Sequence, residues 1–293
     1  MPELPEVETI RRGLARHAEN LEVTAVGGLG GRVVRNNPGG MSDLQALSGR
    51  RITKVERRGK YMWAGFSDLP KSLVIHLGMS GQVHVHVAEP GGTPPLFRKH
   101  EHVRLTLENG TIVSFVDTRT FGELTLSAHV PSDEGGVVPA RLSHVARDPL
   151  EVSDLNYFVE RFGKTRRPVK TVLMDQAVVS GVGNIYADEA LHAAQIHGLT
   201  PAASLSPQEV LAILHEARSV MERAIKVGGT SFDEYYVDVD GNPGYFERSL
   251  AVYGRAGLPC SSCGAPLLKQ VVQGRSHYYC PRCQVPPREP APR

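Results

Sequence analysis

The first eight residues of the chain combine a candidate amine nucleophile with neighbouring carboxylates. They read Met-Pro-Glu-Leu-Pro-Glu-Val-Glu. Removal of the initiator methionine, which is usual before a small second residue, leaves Pro2 with a free secondary amine. An α-amino group titrates near pH ~8, so roughly a tenth of it is unprotonated at neutral pH. Attack of a secondary amine on an aldehyde-level carbon gives an iminium directly, with Glu3 beside the amine and Glu6 just inside a helix.

The same segment also has the ordinary features of a helix start. Pro5 suits the first helical position, and Glu6 and Glu8 suit the positively charged end of the helix dipole. The apolar stripe of such a helix lies at Val7, Ile10 and Leu14. Acidic helix starts are common, so local physics alone favours a purely structural role for these residues. Support for a catalytic role has to come from other segments of the chain.

All four cysteines lie near the C-terminus in two close pairs. Cys260-x-x-Cys263 is followed after sixteen residues by Cys280-x-x-Cys283. This spacing is typical of a four-thiolate zinc site, and a reducing cytoplasm argues against two disulfides. Zinc held by four thiolates has no open coordination position. The sequence therefore predicts one structural Zn²⁺ whose binding is coupled to the folding of this short stretch.

Basic residues are concentrated in three stretches of a chain whose formal net charge is only +2. Residues 50–60 hold six basic residues and one acid, residues 161–170 hold five and none, and no acid occurs between Arg248 and Arg288. They form one phosphate-binding surface if they meet in space, or three separately solvated loops if they do not. The chain lacks a charged start with an apolar stretch behind it, and it lacks any run of ~18 apolar residues. These features predict a soluble cytoplasmic protein without a membrane segment.

The order of secondary-structure signals predicts an α+β protein with two domains and a small module. An N-terminal helix precedes residues 21 to about 130, which read mainly as strands and carry a hairpin signal at Asn109-Gly110. An antiparallel β-sandwich or barrel-like sheet packed against that helix fits this half best, and we expect the sandwich. A helical half follows, in which Ser206-x-x-Glu209 is a capping box for a long amphipathic helix that ends at Gly228.

Two segments carry a resemblance to a known family. The N-terminal string PELPEVET resembles the start of bacterial formamidopyrimidine-DNA glycosylases, the base-excision repair family that removes oxidised purines. Residues 179–190, VSGVGNIYADEA, resemble the helix-two-turns-helix DNA-binding segment of the same family. The resemblance implies a catalytic β-rich domain over 1–130, a helix-two-turns-helix domain over 151–250 and a zinc ribbon over 251–285. Composition predicts a linker over 131–150 and a disordered tail over 286–293.

The resemblance also implies a catalytic group at the N-terminus. Pro2 is the implied nucleophile, Glu3 the acid and base, and Glu6 a supporting residue that holds the N-terminus in place. Lys60 is implied to contact the damaged nucleotide, although from its own surroundings it could be a strand lysine that faces water. The implied enzyme is bifunctional: a glycosylase that forms a Schiff base through its N-terminal proline and then cleaves the DNA strand by β,δ-elimination.

A second group of residues is implied to contact DNA. By resemblance, Met79 fills the space that a base leaves, Arg119 pairs with the orphaned base and Phe121 wedges between neighbouring pairs. Their loop departs from the common family pattern Asp-Pro-Arg-Arg-Phe-Gly at Thr118 and Thr120. The further implied contacts to the DNA backbone are His76, Lys170, Asn184 and Arg275.

His100 and His102 lie two residues apart. On a strand this spacing would put both side chains on one face, where they could begin a metal site. The sequence suggests no third ligand nearby. We therefore expect His100 to lie near DNA phosphate or simply at the surface.

Residues 228–246 form a long polar loop, which the resemblance implies closes over the everted oxidised base. The expected partner is double-stranded DNA containing oxidised bases or abasic sites, bound by a monomer associated with the bacterial nucleoid. Two alternatives remain open from the sequence. One is an endonuclease VIII-type glycosylase for oxidised pyrimidines, and the other is a non-catalytic zinc protein that only binds damaged DNA.

Overall fold

The computed structural model describes residues 2–88, 95–132, 136–230 and 237–287. The chain divides into two compact units, one comprising Met1–His144 and Val227–Tyr245 and the other comprising Val145–Lys226 and Phe246–Arg293. The expected disordered tail lies outside the described residues from residue 288 onward, as do residues 231–236 of the expected base-recognition loop.

Helix α1, Leu4–Ala18, opens the first unit. Glu3 is its N-cap, and Glu3 and Glu6 form a capping box in which each side chain accepts a hydrogen bond from the other residue's backbone N–H. Pro5 therefore occupies the second helical position, one later than expected, where its missing N–H again removes no helical hydrogen bond. The predicted apolar stripe is buried at Val7, Ile10 and Leu14.

An antiparallel sheet of nine strands follows α1 in the described part of the first unit. The strands are β1 Glu22–Gly27, β2 Arg50–Arg58, β3 Tyr61–Phe66, β4 Lys71–His76, β5 Gly81–His86, β6 Glu101–Leu107, β7 Ile112–Asp117, β8 Glu123–Pro131 and β9 Val137–Pro139. Their order in the sheet is β5-β7-β6-β1-β2-β3-β4-β8-β9. The short helix α2, Met41–Leu44, lies between β1 and β2.

The two halves of this sheet face each other across one apolar core. The β1–β2 pairing consists of Glu22 with Arg51 and Val23 with Arg50, and the sheet folds over at this short junction. Side chains from both halves line one small internal cavity, among them Val55, Ile75, Val83, Leu105 and Phe115. The expected antiparallel sandwich, with α1 packed beside it, is therefore confirmed.

The predicted hairpin between β6 and β7 is also present. Gly110 takes a φ of +81°, which glycine adopts without steric cost. The N–H of Leu107 donates to the carbonyl of Thr111 at 2.8 Å and closes the loop. Local turn chemistry was therefore sufficient to predict this connection.

The described residues 227–230 and 237–245 pack with the first unit, whereas the sequence-based boundaries placed them with the helical half. Val239 is 2% exposed and belongs to the first unit's core. Its carbonyl accepts a hydrogen bond from the N–H of Val85 at 2.9 Å, and its side chain lies where Gly13 has no Cβ. Asp240 pairs with Arg16 of α1 at 2.5 Å. One apolar residue in a polar loop gives no periodic signal, so the sequence did not predict that the segment around Val239 packs against the first unit.

The second unit is helical and ends in a β-hairpin. Its elements are α3 Asn156–Gly163, α4 Val169–Leu173, α5 Asn184–Ala193, α6 Pro207–Lys226, β10 Leu268–Val272 and β11 Arg275–Tyr279. The predicted capping box starts α6, because Ser206 Oγ accepts from the N–H of Glu209 at 3.2 Å and the Glu209 carboxylate accepts from the N–H of Ser206 at 2.8 Å. Within the described ranges, every helix is too short or too polar to cross a bilayer.

A buried charge network fixes α1 against β2. Glu8 pairs with the guanidinium groups of Arg11 at 3.0 Å, Arg12 at 2.7 Å and Arg57 at 3.0 Å. Burial alone raises the pKa of Glu8, but hydrogen bonds from Arg11 and Arg12 and the charge of Arg57 outweigh it and lower the pKa to about 2. Because Arg57 belongs to β2, this network sets where the β2–β3 hairpin lies relative to the start of α1.

We expect Glu8→Gln to lower the free energy of unfolding at neutral pH, because an amide cannot match three guanidinium groups. A carboxylate with a depressed pKa stabilises the fold fully above its unfolded value of 4.5, and this contribution is lost as the pH falls toward 2. The difference in urea midpoint between wild type and Glu8→Gln should therefore shrink below pH ~4.5. Glu222→Gln, on the exposed face of α6, is the control, and a Glu8→Gln difference that persisted unchanged to pH ~2.5 would contradict the assignment.

Candidate active site and nucleic-acid interface

The carboxylate of Glu6 fixes the backbone at the start of the chain. Its Oε2 accepts the N–H of Glu3 at 2.8 Å, and its Oε1 accepts the N–H and the hydroxyl of Thr230 at 2.8 and 2.9 Å. Pro2 is buried, Glu3 is 3% exposed and Glu6 is 6% exposed. The residue that follows the candidate amine is therefore held in one position by a buried, charge-assisted hydrogen bond.

A glycine makes this arrangement possible. Gly229 takes a φ of +82°, and a Cβ at this position would lie 2.8 Å from Oε1 of Glu6. Any other residue would therefore be strained and would also push against a carboxylate that three hydrogen bonds hold. Gly229 lets the segment after α6 approach Glu6 closely enough for Thr230 to bond to it.

Lys60 lies in the two-residue turn between β2 and β3. Gly59 precedes it with a φ of +55°, as a type II′ turn requires at its first central position. Although it lies at a hairpin tip, Lys60 is only 6% exposed. Lys60 and Glu3 are thus both buried. The Arg57–Glu8 ion pair joins the hairpin of Lys60 to α1, the helix that Glu3 caps.

His76 ends β4, and its ring lies 4.4 Å from that of Tyr61 on β3. Burial lowers the pKa of His76 to about 4, and the charge of Lys60 adds to this effect while Glu123 opposes it. The imidazole is therefore neutral at physiological pH. A neutral His76 would offer a phosphate a hydrogen bond without adding a positive charge.

Met79, Arg119 and Phe121 lie on two adjoining loops of the first unit. Met79, in the turn between β4 and β5, is 43% exposed, and Phe121, after β7, is 38% exposed. The guanidinium carbon of Arg119 lies 4.6 Å from the centre of the Phe121 ring. Gly78 takes a φ of +61°, and a side chain there would collide with the backbone of Phe121. The two loops therefore touch, and they present the three side chains as one exposed group.

The structure corrects the expected geometry of His100 and His102. His100 lies in a turn with a φ of +63°, and β6 begins only at Glu101. The two histidines therefore do not share the strand face that their spacing would allow, and the expectation that His100 lies near DNA phosphate or at the surface is unaffected. The carbonyl of His100 accepts the N–H of Asp117 at 3.0 Å, which places His100 beside the loop that carries Arg119.

Asn184 is the first residue of α5, and Gly183 is the N-cap. Its amide nitrogen lies 3.4 Å from the hydroxyl of Tyr253, and its Oδ1 has no hydrogen-bond partner among the described residues. The start of a helix carries a partial positive charge, which favours a phosphate. The position of Asn184 therefore suits the DNA-backbone contact that the sequence predicts.

Arg275 and Lys170 line the same polar pocket of about 290 Å³ in the second unit. Arg275 is exposed and begins β11, directly after a two-residue turn in which both residues take positive φ. Lys170 is only 1% exposed, and its Nζ bonds to Asp188 Oδ1 at 2.7 Å and to the carbonyl of Ser276. Lys170 therefore braces the hairpin that presents Arg275.

Asp188 is a buried carboxylate that sequence reasoning did not single out. It is fully buried on α5, and besides Lys170 it bonds to Nδ1 of His277 at 2.6 Å and to the N–H of Tyr278 at 2.9 Å. Nε2 of His277 accepts the N–H of Gly198 at 3.2 Å, so the ring proton lies on Nδ1 and points at Asp188. One carboxylate therefore connects α4, α5 and β11.

Glu189, the next residue, anchors the segment that leads into the four-cysteine region. Its two oxygens accept the backbone N–H groups of residues 251, 252 and 253 at 2.8, 2.9 and 2.9 Å. The side chain is 3% exposed. The available sequence signal was a pair of adjacent acids in a mostly apolar helix. Acids in such a helix become buried when it packs, and a buried carboxylate needs several hydrogen-bond donors.

The four cysteine sulfurs form one cluster. All lie within 4.8 Å of one another, with Cys260 and Cys283 at 4.0 Å and Cys263 and Cys280 at 3.4 Å. Tetrahedral zinc with bonds of about 2.3 Å requires sulfur separations of about 3.8 Å, which this cluster matches. None of the four forms a disulfide. The predicted single structural zinc therefore fits these residues, and Nε2 of His192 on α5 lies 3.5 Å from the sulfur of Cys260.

An antiparallel sandwich with buried N-terminal carboxylates, a helical unit and a zinc ribbon together define a helix-two-turns-helix DNA glycosylase. Three family models match the chain in this order. They describe the formamidopyrimidine-DNA glycosylase N-terminal domain over residues 1–124, the formamidopyrimidine-DNA glycosylase H2TH domain over 145–235, and a zinc finger found in FPG and IleRS over 257–285.

Similar proteins match over nearly the whole chain. The formamidopyrimidine-DNA glycosylase of Nocardia farcinica is 47% identical, covering 98% of this chain and 99% of its own. The MutM (Fpg) protein of Thermus thermophilus is 36% identical with a TM-score of 0.77, covering 97% and 98%. A Lactococcus lactis FPG mutant, solved in complex with a Fapy-dG containing DNA, is 29% identical with a TM-score of 0.81, covering 97% and 100%. The chain belongs to the formamidopyrimidine-DNA glycosylase family.

Family membership confirms the predicted fold class, enzyme class and zinc. The protein is a base-excision repair enzyme, a DNA glycosylase for oxidised purines that is also an abasic-site lyase. Membership also favours this function over the endonuclease VIII-type enzyme and over a non-catalytic damage-binding protein.

We expect Glu189→Gln to loosen the ribbon, because an amide leaves at least one of three buried N–H groups without an acceptor. The cost should be about 1–3 kcal/mol of unfolding free energy. Urea unfolding of the zinc-loaded protein measures it. Glu222→Gln, an exposed glutamate of the same unit, should change stability by less than about 0.5 kcal/mol. Equal stability of the two variants would show that Glu189 does not hold the ribbon.

Proposed function

We propose that Pro2, freed of the initiator methionine, is the nucleophile. Its amine attacks C1′ of the damaged nucleotide as the bond between C1′ and the oxidised base breaks. The hydrogen bond from Glu3 N–H to Glu6 supports this assignment, because it fixes the residue next to the amine. Such positioning converts an encounter between amine and sugar into a reaction within one complex.

Glu3 acts as the acid and base beside the amine. It protonates the sugar ring oxygen, so that the ring opens and the nitrogen at C1′ becomes an iminium. The iminium acidifies the C2′ proton, and Glu3 assists its removal as the 3′ phosphate leaves. Elimination of the 5′ phosphate follows and completes the β,δ-elimination. Burial of Glu3 suits this exchange, because it keeps bulk water away from the proton transfer.

Lys60 supports this chemistry through its charge. It is a buried cation, and it contacts the damaged nucleotide, where a phosphate must be held while a bond to it breaks. A positive charge in a water-poor site stabilises developing negative charge more strongly than it would in water. His76, kept neutral by burial, donates a hydrogen bond to the DNA backbone in the same region of the first unit.

Met79, Arg119 and Phe121 fill the gap that an everted nucleotide leaves. Extrusion costs a few kcal/mol of pairing and stacking, and an apolar wedge with a polar filler offsets that cost. The contact between Arg119 and Phe121 and the exposure of all three side chains support this role. Arg119 pairs with the orphaned base, Met79 enters the vacated space, and Phe121 separates the adjacent pairs.

The remaining predicted residues hold the DNA backbone on both sides of the lesion. Asn184 and Arg275 contact phosphates directly, and His100 lies near one. Lys170, which the resemblance implies as a further phosphate contact, is 1% exposed and ion-paired with Asp188, and it supports the hairpin that presents Arg275. The segment 228–246 recognises the oxidised base, and its described part is anchored on the first unit's core through Val239. The enzyme acts as a monomer on the DNA of the nucleoid.

The test of this proposal is to block the Pro2 nitrogen. We expect an N-terminal extension, which leaves that nitrogen in a peptide bond, to reduce cleavage of a duplex with 8-oxoguanine opposite cytosine by at least about a thousandfold. Single-turnover assays measure the rate, and the same extension placed at the C-terminus is the matched control. Cleavage at the wild-type rate by the N-terminally extended protein would exclude Pro2. Faster cleavage of an oxidised-pyrimidine duplex by wild type would instead contradict the purine preference.

A further inference from the structure

The Asp117 carboxylate is fully buried at the end of β7 and bonds to two loops. Its Oδ1 accepts the N–H of Arg119 at 3.1 Å, the N–H of Thr120 at 3.0 Å and the hydroxyl of Ser80 at 2.6 Å. Its Oδ2 accepts the N–H of Gly122 at 2.7 Å. Four donors therefore converge on one carboxylate from both sides of the Met79, Arg119 and Phe121 group.

The backbone of Asp117 extends this connection to a third segment. Its N–H donates to the carbonyl of His100 at 3.0 Å, and its carbonyl lies 2.9 Å from Nε2 of His102. The turn that carries Met79, the loop that carries Arg119 and Phe121, and the turn that carries His100 thus meet at one residue.

The loop after β7 is strained, and Asp117 is what holds it. Thr120 takes a φ of +55°, which is unfavourable for a β-branched residue. Such a conformation persists only where the surroundings over-determine it. The N–H of Thr120 and those of its neighbours Arg119 and Gly122 all donate to Asp117, so the carboxylate supplies the constraint.

We propose that Asp117 is the positioning residue for base extrusion. It holds Met79, Arg119 and Phe121 at fixed separations before DNA binds, so that no binding energy is spent on ordering the two loops. This inference rests on the proposed role of those three side chains. It deepens that role by predicting how the cleavage rate depends on Asp117. The dependence is greatest on a firmly paired damaged base and least on a site where no base has to be extruded.

Asp117→Asn tests the proposal with a nearly isosteric change. The amide has one acceptor oxygen, so at least one of the four donors loses its partner. We expect kcat/KM on 8-oxoguanine opposite cytosine to fall by about tenfold to a hundredfold. Cleavage at a preformed abasic site should fall by less than about threefold, because no base has to be unpaired there.

A direct readout of wedge insertion separates positioning from general damage to the fold. A fluorescent adenine analogue placed opposite an uncleavable abasic-site analogue brightens when it is unstacked. At saturating protein, wild type should produce the full increase, and Asp117→Asn should produce a smaller one even though it binds the duplex. A lesion opposite a mismatched base should partly rescue the variant's rate, because less pairing energy then opposes extrusion.

Two further variants complete the comparison. Asp43→Asn makes the same chemical change at a carboxylate that accepts one backbone N–H, from Gly39 at 2.9 Å, and should behave as wild type. Ser80→Ala removes only the contact between Asp117 and the loop of Met79, and should show a smaller defect in the same direction. Ser80→Ala decides the question if Asp117→Asn does not fold.

Equal losses on the paired lesion and the abasic site, with full fluorescence amplitude, would overturn the proposal. So would a Ser80→Ala variant that matched wild type in all three measurements. Failure of the wild-type protein to unstack the fluorescent base would instead reject the wedge role of Met79, Arg119 and Phe121 itself, and would leave no base extrusion for Asp117 to serve.

Discussion

The arrangement at the N-terminus depends on one buried carboxylate. Glu6 lies a turn inside α1, yet its two oxygens hold Glu3 on one side and Thr230 on the other. Residues at the start of the chain and residues that return after α6 are thereby joined at a single side chain. Gly229 permits the approach because it carries no Cβ. A free terminus would normally fray, so a terminal amine can serve as a positioned nucleophile only with such a constraint.

Three other buried carboxylates join separate segments in the same way. Asp117 holds the loops that carry Met79, Arg119 and Phe121. Asp188 connects the hairpin of Arg275 to two helices, and Glu189 fixes the segment before the zinc ribbon. Each is a buried carboxylate that accepts hydrogen bonds from three or four protein donors, which offset its loss of hydration. The exposed residues that are proposed to contact DNA thus rest on a set of buried acids that never reach it.

Much of the architecture could be predicted because its signals are local. Cysteine spacing predicted the zinc site, Ser206 and Glu209 predicted the start of α6, and Asn109-Gly110 predicted a hairpin. The placement of Val239 against α1 and the burial of Lys170 could not be predicted, since both depend on contacts between residues far apart in sequence. The start of β6 at Glu101 could not be predicted either, and it leaves His100 in a turn outside the strand that carries His102. Asp188 and Glu189 were visible as adjacent acids in an apolar helix, but their partners were not.

We propose that a terminal proline amine, held through Glu6, forms the covalent bond to DNA. The most direct measurement is to react the wild-type protein with a duplex containing 8-oxoguanine opposite cytosine, reduce the mixture with borohydride and sequence the peptide that carries the DNA adduct by mass spectrometry. The adduct is expected on the nitrogen of Pro2 in a peptide that lacks the initiator methionine. An adduct on Lys60 or on any other side chain would contradict the claim, as would complete strand cleavage without a trapped intermediate.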